Sequence, residues 1–314
     1  MYQGRSGMRP RLRRVAKKVE LPHETREDKM ITRRTLARAT CAGLGAVAGA
    51  AILNAGNAVA THATALALCG DESHNSDYIR TALTATLVED GGLSIDFTDQ
   101  EELVTYENLR KYKILIIFRD GRRYNAGYWH QVYWNEPKEK IISVPAIQRQ
   151  IGSRFTGWMT PEQGKAVKQW VSEGGSLWAF HNNSELSIWN KDSRDVEGAI
   201  YAGHPAIRPF KVKIVNPEHP ITRGVKDFVV TDEQHYVLYD KDPKYVLARS
   251  VNEDGLDFTD SEGRRSNTAE AVWAYDYGKG RVCFMAPGHM ISVLWNPEYE
   301  KMQKNAAKWL LHEV

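Results

Sequence analysis

Residues 160–183 read TPEQGKAVKQWVSEGGSLWAFHNN, which predicts a helix followed directly by a buried strand. Thr160 and Gln163 are spaced as a capping box, and the apolar residues after them recur with helical periodicity. The glycines at 174–175 end the helix, because glycine readily adopts the left-handed conformation found at helix ends. The apolar run at 176–180 is typical of a strand that is covered on both faces.

The predicted strand ends abruptly in three polar residues, His181, Asn182 and Asn183. Further strand-like runs, such as 63–69 and 114–118, alternate with helical segments along the chain. This alternation is typical of a parallel sheet with right-handed crossover connections. We therefore predict an α/β fold, a single domain with a mostly parallel central sheet and flanking helices. Ligands bind at the carboxyl ends of the strands in such a sheet, where the polar residues lie.

The amino-terminal sixty residues have the pattern of a targeting sequence. Residues 1–29 are a basic extension or an over-extended start. Residues 30–60 contain paired arginines at 33–34, an apolar run of small residues and the sequence AVA at 58–60, as in a cleaved twin-arginine signal peptide. A membrane anchor is the alternative, but the run is short for a span. We expect cleavage to leave a single domain at 61–314, periplasmic or secreted, without stable membrane insertion.

The basic charge of the chain is concentrated in the same segment. Residues 1–60 hold 12 Lys or Arg and 4 Asp or Glu, which leaves 30 of 42 basic and 35 of 39 acidic side chains for the remainder. The formal net charge of residues 61–314 is therefore −5. A nucleic-acid-binding domain usually carries a basic excess, so we expect no nucleic-acid partner.

A long irregular segment, residues 119–158, is dense in aromatic side chains. Loops of this length in a compact domain are usually functional or disordered, and the aromatic content argues against disorder. Flat aromatic faces suit the apolar faces of sugar rings, and the alternative is that these rings cover the core. The aromatic residues predicted to bind sugar are Tyr128, Trp129 and Trp134.

Several short motifs follow one another in a fixed order across residues 62–313. They are GGSLWAFH at 174–181, GHP at 203–205, HPI at 219–221, Asp232-Glu233 with Tyr236, and GKGRV at 278–282 leading into Gly288-His289. In this order they resemble the trehalose-utilisation, or ThuA-like, family, whose fold is flavodoxin-like and similar to class I glutamine amidotransferases. The family name implies sugar metabolism, by association with disaccharide breakdown through keto-sugar intermediates. The resemblance thus implies a small-molecule saccharide as partner.

The comparison with amidotransferases also identifies what this chain lacks. Glutamine hydrolysis needs a cysteine nucleophile at the turn after the strand, and this turn carries His181 instead. Cys69 and Cys283 lie in strand-like apolar runs, which is typical of buried thiols. We therefore predict that the chain is not a glutamine amidotransferase and that thiol alkylation leaves any activity largely intact.

Histidines and a glutamate at the inferred strand ends form the candidate site. The predicted catalytic residues are His181, Glu233 and His289, each of which also matches a family motif. Imidazole and carboxylate groups suit acid–base chemistry near neutral pH, and the same three side chains could bind zinc or another divalent metal. The sequence leaves both interpretations open. The remaining residues predicted to bind substrate are His74, Asn182, His204, His235 and Tyr236.

We interpret the chain as a carbohydrate-active hydrolase or isomerase that binds and processes a saccharide or keto-sugar. The alternative is a non-catalytic carbohydrate-binding module on a degenerate amidotransferase fold. Because parallel strand ends share one edge of a sheet, His181, Glu233 and His289 are expected to converge there. His204 and His219 each precede a proline and could also serve to shape turns.

Overall fold

The computed structural model describes residues 62–124 and 155–314. The predicted basic extension at 1–29, the predicted signal peptide at 30–60 and the aromatic residues Tyr128, Trp129 and Trp134 lie outside the described residues. Within the described ranges, no helix is both long and apolar enough to cross a membrane.

Five parallel strands form one half of a nine-stranded sheet in the described part of the chain. Their spatial order is β2-β1-β3-β6-β15, and each neighbouring pair is parallel. Strands β1, β3 and β6 are buried at every position, as expected for apolar runs with helices on both faces. Numbered in chain order, these strands are β1 (Ala65–Cys69), β2 (Ile95–Thr98), β3 (Ile114–Phe118), β6 (Ser176–Phe180) and β15 (Gly280–Met285).

Four antiparallel strands continue the sheet from β15, in the order β14-β11-β8-β9. After four reversals, β9 runs in the same direction as β15, so its carboxyl end lies at the same edge of the sheet. This antiparallel extension completes the predicted α/β fold around its parallel core. The strands are β14 (Thr268–Tyr277), β11 (Val246–Val251), β8 (Arg208–Ile214) and β9 (Phe228–Asp232).

The antiparallel half curls back toward the parallel half. In a flat sheet β9 would lie about 19 Å from β15, at about 4.8 Å per strand, and three extended residues span only about 10 Å. Nevertheless the backbone N–H of Gly288, three residues beyond β15, donates to Asp232 at the end of β9 at 2.7 Å. Register shifts along β11, between Val246 and Arg249, are consistent with this curvature, because bulges bend a strand.

Helices cover both faces of the sheet and divide the core into two clusters. Alternate residues of β1 enter each cluster: Ala65 and Ala67 pack on one face, and Leu66 and Leu68 on the other. The first face is covered by α1, α6 and α7, and the second by α2, α3 and α5. The helices are α1 (Ser76–Leu83), continued by a π-helical turn Thr84–Glu89, α2 (Tyr106–Leu109), α3 (Pro161–Ser172), α4 (Leu186–Trp189), α5 (Lys191–Glu197), α6 (Ile291–Leu294) and α7 (Pro297–Leu310).

Smaller elements connect these layers. Single 3₁₀ turns occur at Glu101–Leu103, His181–Glu185 and Pro243–Tyr245. Within residues 62–124 and 155–314, three two-stranded pairs stand apart from the main sheet. They are β4 (Arg122–Tyr124) with β5 (Phe155–Gly157), β7 (Ala199–Gly203) with β10 (Tyr236–Tyr239), and β12 (Phe258–Thr259) with β13 (Arg265–Ser266).

The helix-and-strand unit read from residues 160–183 forms as the sequence predicts. Thr160 caps α3 and exchanges both hydrogen bonds of the capping box with Gln163. A side chain on Gly175 would place its Cβ 2.2 Å from the Trp170 ring, so only glycine lets α3 turn so tightly into β6. At the first helix Asn75 is the N-cap, because its side chain accepts the Asp77 N–H at 2.7 Å.

Candidate functional site

The candidate site lies at the carboxyl edge of the main sheet. His181 directly follows β6, Glu233 directly follows β9, and His289 lies four residues beyond β15. His74 is in the loop after β1, and His235 comes two residues after Glu233. The common direction of these strands brings their polar ends together, although β9 lies at the far end of the sheet.

One carboxylate oxygen, Oε2 of Glu233, is surrounded by four imidazoles. Its distances are 3.2 Å to His289 Nδ1, 3.5 Å to His181 Nε2, 3.5 Å to His235 Nε2 and 3.7 Å to His204 Nε2. A fifth imidazole, that of His74, places Nε2 3.1 Å from His289 Nδ1. We call these six residues the Glu233 cluster. The structure therefore brings the three predicted catalytic residues together with His74, His204 and His235.

Three of these imidazoles have their Nδ1 atoms held by hydrogen-bond acceptors. His181 Nδ1 lies 2.7 Å from the carbonyl of Ala286, His204 Nδ1 lies 2.8 Å from the carbonyl of Pro205, and His74 Nδ1 lies 2.8 Å from both carboxylate oxygens of Asp71. Carbonyl and carboxylate oxygens only accept, so each Nδ1 carries the proton. In the neutral tautomers each Nε2 is a bare lone pair. Histidines that bind metals are usually held in this way.

The pKa values of the cluster shift in different directions, according to burial and to the groups beside each side chain. Burial lowers the pKa of His181 and lowers that of His235 further. Burial acts to raise the pKa of Glu233, but the surrounding imidazoles outweigh it and hold this pKa well below its usual range. The neighbouring Glu233 carboxylate raises the pKa of His289, the partly exposed member of the three.

Several polar atoms of the cluster are buried without a hydrogen-bond partner among the described residues. They include Nε2 of His181 and both ring nitrogens of His235. Separations of 3.5 Å from the Glu233 carboxylate are too long for good N–H···O hydrogen bonds. Buried polar atoms normally have a partner, so these atoms are candidate ligands for an ion or a water molecule.

The separations match those between ligands that share a metal ion. Two ligands at about 2.0–2.1 Å from a tetrahedral zinc ion lie roughly 3.3 Å apart, close to the observed 3.2–3.7 Å. Among the residues that the structure describes, two sets of side chains have ligand atoms within 4.8 Å of one another, and Glu233 belongs to both. The first set is His74, His181, Glu233 and His289, and the second is His204, Glu233 and His235.

The local backbone brings the side chains of the cluster close to one another. His181 has a φ of 50°, in the left-handed region that a residue with a side chain seldom adopts. A Cβ on Gly288 would lie 3.1 Å from the Cβ of His181 and 2.8 Å from the Phe118 ring, so glycine allows the loop after β15 to pass. Asp232 fixes this loop by accepting the backbone N–H of Gly288 and that of His289.

The other residues predicted to bind substrate have different positions. The Asn182 side-chain nitrogen lies 3.3 Å from His74 Nε2, beside the cluster. Tyr236, in contrast, packs on Phe258, and its hydroxyl donates to the Ser266 carbonyl at 2.9 Å. The structure thus places the Tyr236 side chain away from the cluster, whereas His235 lies within it. The role of Tyr236 in substrate binding stays a prediction.

Asp71 and Asp232 support the site and were not selected from the sequence. Asp71 lies three residues before His74, a spacing that could have indicated a supporting carboxylate. Asp232 is half of the motif pair Asp232-Glu233, but the sequence does not tell which of the two faces the ligand. His219, the other histidine that precedes proline, packs against Trp309 and lies outside the cluster.

Comparisons with known proteins agree with this fold. A family model described as ThuA, trehalose utilisation, matches residues 150–310, about half of the chain. A protein described as ThuA-like from Bacteroides uniformis has a similar solved structure, with a TM-score of 0.54, 18% identity and coverage of 78% of this chain and 90% of that one. A second such protein, from Parabacteroides merdae, gives a TM-score of 0.54 at 14% identity, covering 79% and 89% of the two chains.

At these identities the solved structures show a shared fold alone. A search of curated proteins finds no match to the chain. The match to the family model rests on the sequence and does not depend on the solved structures. It covers β6 and every residue of the Glu233 cluster except His74. This chain belongs to the ThuA, or trehalose utilisation, family, which suggests a role related to sugars.

Proposed function

We propose that this chain binds and processes a saccharide or keto-sugar at the Glu233 cluster, with the assistance of a divalent metal such as zinc. Membership of the trehalose utilisation family supports the sugar. The arrangement of imidazoles around one carboxylate oxygen supports the metal-assisted chemistry.

The observation that carries the proposal is the contact between His181 and Glu233. His181 Nδ1 donates to the Ala286 carbonyl, so its Nε2 lone pair points toward the Glu233 carboxylate oxygen at 3.5 Å. Two electron-rich atoms facing each other in a buried site repel unless a positive charge lies between them. A proton on Nε2 would make a buried imidazolium, which desolvation opposes. A divalent cation bound by both atoms removes the conflict.

The first ligand set fits such a cation. Three imidazoles and one carboxylate are ligand types that zinc accepts in proteins. Asp71 holds His74 Nδ1, which is the carboxylate–histidine–metal pattern that orients a ligand and raises its basicity. The predicted metal ligands His181, Glu233 and His289 are all in this set, and we propose His74 as its fourth member.

Solvent exposure determines which residues of the Glu233 cluster can contact a sugar. His181 and His235 are fully buried, whereas Glu233, His289 and His204 are 14%, 20% and 30% exposed. A divalent cation in the cluster would polarise a carbonyl oxygen or activate a water molecule. A keto-sugar supplies such a carbonyl, and it could reach the cluster past the partly exposed Glu233, His289 and His204 side chains.

A substitution at Glu233 tests the proposal. The wild-type chain is screened against unmodified and 3-keto disaccharides for binding and for product formation, and its metal content is measured. Glu233→Gln should abolish product formation and reduce bound metal, whereas Glu253→Gln, at an exposed ion pair with Lys211, should change neither. Sugar binding without turnover would favour the non-catalytic carbohydrate-binding module. If no saccharide binds the wild-type protein, the proposal is wrong.

We also propose that the protein is exported to the periplasm or beyond the cell through the predicted twin-arginine signal at 30–60. The paired arginines, the run of small apolar residues and the AVA sequence at 58–60 support this part of the proposal. Twin-arginine export carries folded proteins, so a metal could be bound before export.

A further inference from the structure

In the second ligand set, as in the first, a lone pair on an imidazole nitrogen faces the Glu233 carboxylate oxygen. His204 Nδ1 donates to the Pro205 carbonyl at 2.8 Å, which leaves Nε2 as a bare lone pair. This Nε2 lies 3.7 Å from the same carboxylate oxygen that faces His181. The tautomer of His204 is fixed by its own neighbour, so this observation is independent of the first set.

His235 shows the clearest need for a ligand. Its side chain is fully buried, and neither ring nitrogen has a hydrogen-bond partner among the described residues. Its Nε2 lies 3.5 Å from the Glu233 oxygen, and its ring stacks on that of His204 with centroids 5.2 Å apart. A buried imidazole normally has at least one nitrogen satisfied. A cation between His204, His235 and Glu233 would satisfy one nitrogen on each ring.

We propose that Glu233 bridges two divalent cations, one held by His74, His181 and His289 and the other by His204 and His235. The six residues exceed the four ligands of a tetrahedral zinc ion, so a single zinc would leave two imidazoles unused. Bridging carboxylates are suited to pairs of cations about 3.5–4 Å apart, which can hold two oxygen atoms of one substrate.

The two cations would recognise adjacent oxygen atoms on a sugar. The choice of a sugar as the ligand rests on the proposed function. A keto-sugar offers a carbonyl oxygen beside a hydroxyl oxygen, and one cation could take each. The second position is the more accessible of the two, because His204 is 30% exposed whereas His74 and His181 are buried. An incoming sugar would therefore reach the second cation first.

Metal stoichiometry tests the inference directly. The purified chain is stripped with a chelator, reloaded with Zn²⁺, freed of excess metal by gel filtration, and analysed for zinc per chain. The wild-type protein should hold two zinc ions per chain, and His204→Ala should hold one. His219→Ala is the matched control, since His219 also precedes a proline but packs on Trp309, and it should keep two. Circular dichroism and thermal melting verify that each variant folds.

A second measurement does not depend on removing a side chain. The stripped wild-type protein is reloaded with Mn²⁺ and examined by electron paramagnetic resonance, in which two bridged ions give a spin-coupled spectrum. An isolated-ion spectrum with one metal per chain would overturn the two-cation inference and leave the proposed single metal intact. Retention of two zinc ions in His204→Ala would also overturn it. No bound metal in any preparation would overturn both proposals.

Discussion

Replacing Asp71 by Asn should weaken metal binding without removing any residue of the Glu233 cluster. Both Asp71 oxygens lie 2.8 Å from His74 Nδ1. The amide keeps the shape of the carboxylate but loses the charge that makes the imidazole a stronger ligand. Loss of such a supporting carboxylate typically costs 10- to 100-fold in metal affinity, which is about 1.4–2.7 kcal/mol.

The same substitution should also lower stability by a predictable amount. Asp71 Oδ1 accepts the backbone N–H groups of Ser73 and His74, and Oδ2 accepts that of Asp120, all at 2.8 Å. An amide nitrogen at either position faces a backbone donor, so at least one buried N–H loses its acceptor. That loss costs about 1–3 kcal/mol in the free energy of unfolding.

Asp260→Asn provides the matched control for these two effects. Asp260 Oδ1 accepts the backbone N–H groups of Glu262 and Arg264, each at 2.9 Å, and Oδ2 accepts Arg264 Nε at 2.7 Å. Both variants and the wild-type chain are titrated with Zn²⁺ against a competing chelator, and their unfolding is measured in urea. Asp71→Asn should lose both zinc affinity and free energy of unfolding. Asp260→Asn should lose free energy of unfolding but keep its zinc affinity. If folded Asp71→Asn binds zinc within twofold of the wild type, His74 is not a metal ligand held by Asp71.

Three further predictions concern stability and export. Burial raises the pKa of Glu197 from 4.5 to about 8, so its contribution to stability is present below pH 4.5 and is lost as the pH rises through 8. Between pH 6 and pH 9 the wild type should lose about 3 kcal/mol more in the free energy of unfolding, measured in urea, than Glu197→Gln loses. Gly280→Ala should destabilise the fold by about 2 kcal/mol or more, since its Cβ would lie 1.9 Å from the Gly175 carbonyl oxygen; an unchanged melting temperature would contradict this. Lysine at both Arg33 and Arg34 should block export in cell fractionation, and sequencing of the exported protein should find its amino terminus near residue 61; intact residues 30–60 there would refute cleavage.

Much of the fold follows from local signals in the sequence. The capping box at Thr160 and the glycines at 174–175 determine where α3 begins and ends. The apolar run at 176–180 gives a strand buried on both faces because helices cover both sides. The family motifs also locate His181, Glu233 and His289 at strand ends, and the shared direction of those strands explains why they meet. Their chemical roles stay predictions.

Other features depend on tertiary structure that the sequence does not reveal. The curl of the antiparallel half brings Glu233 from the far end of the sheet to His181, and no local pattern encodes that curvature. Which of His235 and Tyr236 lies in the cluster depends on how the segment between β9 and β10 folds, and the structure packs Tyr236 on Phe258 instead. Asp71 was missed because its role requires the loop after β1 to fold back on His74.

The turn after β6 shows how this fold could support a chemistry other than that of the amidotransferases it resembles. His181 occupies the turn where the amidotransferase comparison places a cysteine nucleophile, and its φ of 50° is strained for a residue with a side chain. A strained turn persists only where the surrounding structure holds it, and here the Ala286 carbonyl and the close approach of Gly288 do so. The strain directs the imidazole across the carboxyl edge toward Glu233. A nucleophile in this position would instead need a neighbouring base and free access to substrate, whereas His181 is fully buried and burial lowers its pKa. The turn thus suits a fixed metal ligand better than a nucleophile.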